Sequence, residues 1–207
     1  MSASPPLPHG SHPVIGPLLR WTTSETERFD GLLVRVRAAK GAELAWDTEV
    51  AKDRFLSCAT ERSGLLAHGT TRTELTTLEP ADQGDLLGRP VRAVFASSDG
   101  VWAMFFAILD WSRVVGTFNG CQRLPSPEGE RKGYVFTVFT NTQPRSPFRR
   151  GWVYFLDRSA FAVSLDADGH SSDEWLSNGP VKPLARLAVT PEEFPFLDDI
   201  TIRRADD

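Results

Sequence analysis

Cysteine is scarce in this chain of 207 residues: there are two, Cys58 and Cys121, too few for a disulfide scaffold. A cationic excess is also lacking. Lys+Arg is 23 against Asp+Glu 27, a formal net charge of −4, which disfavours a nucleic-acid binder because phosphate contacts need a basic face. No apolar run approaches the roughly 20 residues that cross a bilayer, so no membrane span is expected. The opening Met1-Ser2-Ala3-Ser4-Pro5-Pro6 lacks the charged and apolar regions of a secretory signal, and the expectation is a cytoplasmic, reducing location. Also missing are a G-x-G-x-x-G turn after a strand, a Walker loop, a G-x-S-x-G elbow and an H-E-x-x-H helix. Hydrophobic residues make up 41% and charged residues 24%, which suffices for one compact domain that needs no staples.

Three regions differ in texture. Residues 1–20 read as a Pro-rich extended arm, with Pro5, Pro6, Pro8, Pro13 and Pro17 fixing φ and removing backbone donors. His9 and His12 have a chelating spacing but no further ligands nearby, so no metal is assigned and they read as solvated. Residues 21–63 read as an N-terminal helical cap. Ser24 and Glu27 suggest a capping box, and Phe29, Leu32, Leu33 and Val36 form one apolar stripe before Gly41. A second helix is expected from about Asp47 to Arg62, burying Trp46, Val50, Phe55, Leu56 and Ala59, and ending at Gly64.

Residues 64–207 carry short apolar runs between turns. Strands are expected at 65–67, 91–96, 134–139 and 152–156, with 181–189 tolerating Pro183 only at an edge or bulge, and 200–202 closing the sheet. Asp99-Gly100 starts an apolar helix over 101–109 that must be buried nearly all round. The fold class is therefore α+β: a curved, mainly antiparallel sheet with an N-terminal helical cap.

Several residue clusters have ordinary explanations. Cys58 falls on the apolar side of a helix, where free cysteine is a small hydrophobe; Cys121 is the better nucleophile, although nothing beside it in sequence lowers its pKa. Arg145, Arg149 and Arg150 could grip a phosphate but read as a solvated loop. Asp82 and Asp85 read as turn chemistry, and Asp166, Asp168, Gly169 and His170 as a hairpin loop. Trp46, Trp111 and Trp152 are assigned to the core or its rim.

His68-Gly69-Thr70 is the most informative tripeptide. It ends a hydrophobic strand, and a glycine there lets a ligand approach the backbone closely. Downstream stand Val94-Phe95-Ala96, then the helix with Trp102 and Phe105, and later Asp173-Glu174-Trp175-Leu176-Ser177. This order resembles the ADP-ribosyltransferase fold of the diphtheria-toxin and poly(ADP-ribose) polymerase class over roughly residues 64–190. It also resembles a group of bacterial proteins of no assigned activity that share HGS/HGT, VFA-x-SDG and EW-[VL]-S motifs.

The resemblance implies NAD as substrate. His68 would bind a ribose hydroxyl, Gly69 the nicotinamide amide through its backbone, and Thr70 would complete the motif. Phe105 would stack on the nicotinamide ring, Phe95 would match the second position of the family's Y-F-A strand in the same binding site, and Glu174 would hold the 2′-hydroxyl and polarise an acceptor that the sequence does not identify. The chemistry is coherent, because a carboxylate stabilises the oxocarbenium-like centre left by nicotinamide. The chain departs from the pattern at two positions: the family's leading tyrosine is Val94, and its small helical serine is Trp102, which could fill the slot. Two readings follow, an NAD-dependent ADP-ribosyltransferase or NAD glycohydrolase, and a non-catalytic binding or regulatory module with a plugged pocket. An RNA 2′-phosphotransferase on the same fold would need a cationic groove that the net charge disfavours.

Overall fold

The computed structural model describes residues 12–141, 146–166 and 168–205. Most of the arm, including His9, and the loop positions Pro144 and Arg145 lie outside the described residues.

Helix α1 (Thr23–Ala38) forms as its apolar stripe dictates, with Phe29, Leu32, Leu33 and Val36 buried. Its capping box is Thr22 with Glu25, two residues earlier than the Ser24–Glu27 pair of the same spacing. The chain leaves it through Lys40 (φ 51°) and Gly41 (φ 88°). Helix α2 (Lys52–Glu61) buries Phe55, Leu56, Cys58 and Ala59 and starts later than expected, so Trp46 and Val50 pack from the loop before it. Helix α3 (Gly100–Ile108) is capped by the Asp99 side chain on the Trp102 amide, and eight of its residues are buried.

Eleven strands are described: β1 (Val14–Leu18), β2 (Leu65–Thr70), β3 (Ala81–Gly84), β4 (Pro90–Ser97), β5 (Val114–Ser126), β6 (Gly129–Thr140), β7 (Gly151–Asp157), β8 (Ala162–Leu165), β9 (Ser171–Ser177), β10 (Ala185–Val189) and β11 (Thr201–Arg204). They form two sheets. One runs β10-β7-β2-β4-β9-β8, with β3 added to β4; in the other, β6 pairs with β5, β1 and β11. The pairing is antiparallel except for β11 on β6. The mixed α+β class with a mainly antiparallel sheet is therefore right, but there are two sheets. Strand β1 lies inside the segment read as an arm.

Phe29, Phe55, Met104, Phe105, Phe136, Phe155 and Leu187 belong to one core that joins all three helices to both sheets. Opposite faces of the larger sheet bury different clusters. Leu65, Ala67, Val153 and Phe155 face the helices, whereas Leu66, Val94, Ala96, Tyr154 and Leu156 form a second cluster beneath Leu78 and Val181. No helix among the described residues is long and apolar enough to cross a membrane.

Candidate functional site

His68 sits on β2, paired with Tyr154 on β7, and alternation puts it on the helix-free face with Leu66. It is half-buried. Its Nδ1 lies 2.7 Å from the Phe95 carbonyl oxygen, and burial draws its pKa below the ordinary value, aided by Arg72 and opposed by that carbonyl. The neutral ring must then donate from Nδ1, which leaves the lone pair on Nε2.

A pH dependence follows. His68 is harder to protonate folded than unfolded, so its contribution is complete above the unfolded value of about 6.5 and is lost as pH falls below it. The unfolding free energy from urea titrations is expected to drop between neutral pH and pH about 5 with a slope of up to about 1.4 kcal/mol per pH unit. His68→Gln should flatten that part of the curve; an unchanged curve would remove His68 as its source.

Glu174 sits on β9. It pairs with Ser97, and the β4 residue Ser97 also pairs with Ala67 on β2. Cross-strand partners share a face, so Glu174 goes with Ala67 and away from His68, although their backbones lie only about 10 Å apart across two strand spacings. The carboxylate accepts from the Leu86 amide at 3.0 Å and the Ser164 hydroxyl at 2.8 Å. Burial raises its pKa, against those two hydrogen bonds. Phe95, half-buried, lies diagonally across from it.

The other residues of the expected NAD site are taken up by packing. Gly69 meets the backbone of α3, not a ligand: a Cβ there would overlap the Ala103 carbonyl oxygen and come within 2.7 Å of the Ala107 nitrogen. Trp102 is 8% exposed and its Nε1 donates to Asn119 Oδ1 at 2.6 Å. Phe105 is fully buried, its ring 4.7 Å from that of Phe136. Thr70 accepts from the Arg72 amide at 3.1 Å, closing a local turn.

A charged cluster not anticipated from sequence does converge. Lys132 on β6 is 1% exposed, with Nζ 2.7 Å from Glu61, 2.9 Å from Asp99 and 3.1 Å from Asp173. Tyr134 donates to Asp99 at 3.0 Å, Ser98 to Asp173 at 2.6 Å, and Arg123 to Glu61 at 2.6 Å. Burial alone would lower the Lys132 pKa, but the carboxylates raise it. Burial would likewise raise Asp173, yet Lys132 and Ser98 hold it below the ordinary range. Cys121 lies 3.7 Å from Asp99 and 3.6 Å from Asp173. Burial and those charges push its thiol well above the ordinary value, so it is no thiolate nucleophile. The cluster ties α2, the start of α3, β5, β6 and β9 together. Every charge in it is paired, which suits a clamp between the two sheets.

The remaining candidates behave as ordinary surface or core. Asp85 caps the β3–β4 turn through the Leu87 and Arg89 amides, and Asp82 pairs with Arg92. Arg149 pairs with Asp110, and Arg150 with Glu43. Asp166 accepts from His170 across the β8–β9 turn, and His12 is 3.9 Å from Asp199. Cys58 is buried. Trp46 packs on Phe55, and Trp152 packs on the second cluster. Trp111, expected in the core or rim, is 48% exposed. Two concavities stand out among the described residues, one of about 370 Å³ around Trp21 and Arg54 and one of about 270 Å³ around Arg35 and Asp47. Neither includes His68 or Glu174. No group of His, Cys, Asp and Glu among the described residues has the arrangement of a metal site. No protein family, curated protein or solved structure matches the chain.

Proposed function

We propose that the chain is a non-catalytic binding or regulatory module. The carrying observation is the divergence of His68 and Glu174 to opposite faces of one sheet, since one dinucleotide must reach both for transfer chemistry. The contact between Gly69 and α3 and the burial of Trp102 and Phe105 support the same reading, because the volume a nicotinamide would need holds protein.

Incubated with NAD, the purified chain is expected to release no nicotinamide above the uncatalysed background, and calorimetric titration is expected to register no NAD binding. Glu174→Gln probes the same point without unfolding the chain. A glutamine carbonyl still accepts from Leu86 and Ser164 and removes a half-buried charge, so stability should stay within about 0.5 kcal/mol. Nicotinamide release by the wild type that disappears in Glu174→Gln would overturn the reading.

A second reading, ADP-ribosyl transfer to a macromolecular acceptor or NAD hydrolysis, draws on one specific observation. The Phe95 carbonyl fixes the tautomer of His68, leaving an Nε2 lone pair that suits a ligand hydroxyl. Glu174, half-buried with a raised pKa, has the character of a working carboxylate. The nicotinamide assay separates the two readings.

A further inference from the structure

Strand β5 spans 13 residues, Val114–Ser126. One of its edges is taken along its whole length by β6, with a single irregularity between Val114 and Gly116. No strand among the described residues pairs with its other edge. Two of the other sheet margins are short or covered. Strand β8 is only four residues long and irregular between Val163 and Leu165. Strand β10 is covered by the Glu43–Arg186 bridge and by the Leu44 amide on the Arg186 carbonyl. On its far side β6 carries β1 and β11.

Natural sheets guard a long edge with lysines, prolines or bulges. The charge and the proline of β5, Arg123 and Pro125, both fall in its last third, and Val114-Val115-Gly116-Thr117-Phe118-Asn119-Gly120-Cys121 contains neither kind of residue. Val115 is 49% exposed, with Trp111 at 48% just before it.

We propose that this edge of β5 pairs antiparallel with the same edge of a second copy of the chain, extending the smaller sheet across a two-fold axis. A strand edge is complementary to itself in that arrangement, each N–H of one copy meeting a C=O of the other. The uncharged stretch favours a copy over a foreign strand. It opposes no like charges when paired with itself, and it offers a charged partner no counter-charge to recognise. Trp111 and Val115 add apolar area beside the main-chain hydrogen bonds. The pairing is independent of whether the chain turns over NAD.

Size-exclusion chromatography with light scattering on the full chain tests it. At micromolar concentration the expected mass is twice the 22.9 kDa of one chain. Val115→Lys with Gly116→Lys is expected to halve that mass while the chain still unfolds cooperatively. Val115 is exposed, and a Cβ on Gly116 meets nothing within 4 Å. Should the double variant fail to fold, Gln122→Lys at an exposed position of the same strand gives the same readout. Amide exchange along β5 should quicken at least tenfold in the variants. A wild type of single-chain mass, including one that captures only strands of other proteins, overturns the proposal, and so does a dimer that survives the lysines.

Discussion

Replacing Lys132 by methionine is expected to cost about 3–5 kcal/mol, the range for removing one partner from a buried ion pair. In a chain of this length that corresponds to a fall in melting temperature of about 10 °C. The ammonium neutralises Glu61, Asp99 and Asp173 at 2.7, 2.9 and 3.1 Å, and no other lysine or arginine reaches Asp99 or Asp173 among the described contacts. Without it, burial is no longer opposed by the ammonium at Asp173, whose carboxyl becomes easier to protonate folded than unfolded. Its folded pKa then lies above the unfolded one, so the variant regains stability as pH falls and loses it as pH rises. The deficit should accordingly be smaller at pH about 5 than at pH about 8. Asp173→Asn should cost less, because Lys132 keeps Asp99 and Glu61. Urea denaturation of the three proteins at both pH values decides it. A Lys132→Met protein as stable as the wild type would show that the cluster holds nothing together.

The second large effect is expected from a single methyl group. Gly69→Ala and Gly151→Ala each drive a Cβ into the backbone of α3. At Gly69 it overlaps the Ala103 carbonyl oxygen, and at Gly151 the Ala107 carbonyl oxygen, with the Thr70 oxygen 2.9 Å away. A flexible side chain could rotate aside, but a helix backbone wedged between two sheets cannot. The cost should therefore reach the upper end of the overpacking range, about 3 kcal/mol each. Gly116→Ala and Gly179→Ala, where a Cβ meets nothing within 4 Å, are the controls and should stay within about 0.5 kcal/mol. Thermal melts that rank all four variants alike would contradict the fit between β2, β7 and α3.

These two sites mark the boundary of what sequence reading reaches. Local periodicity identified α1 through Phe29, Leu32, Leu33 and Val36, identified α3 through the Asp99 cap, and identified β6 and β7 through β-branched and aromatic runs. Strand β5 escaped because its core-facing positions, Thr117, Asn119 and Cys121, are polar and answer Trp102, Asp99 and Asp173, while Gly116 and Gly120 interrupt the alternation on its other face. Strand β9 opens on Ser171-Ser172-Asp173-Glu174, a polar run whose Asp173 finds its counter-charge, Lys132, on the other sheet. The fully exposed β3 has no apolar signal at all.

The same limit explains the candidate site. The sequence points to a ligand approaching the backbone at the glycine after His68; the approach is that of α3, and one sequence does not distinguish the two. The order of His68, Phe95 and Glu174 along the chain says nothing about pleat. One residue of register on β2 decides which face His68 takes, and that register is set by its pairing with Tyr154. The Lys132 cluster draws on residues from Glu61 to Asp173, a separation that leaves no local pattern to find.

Strand β6 takes β1 and β11 on the same margin, near opposite ends. It therefore receives one neighbour from before and one from about sixty positions after itself. During synthesis the β5–β6 hairpin emerges able to close by local pairing, yet the half of its margin reserved for β11 stays bare until Thr201–Arg204 has left the ribosome. The nascent sheet is least guarded in that interval, when a chaperone has most to shield.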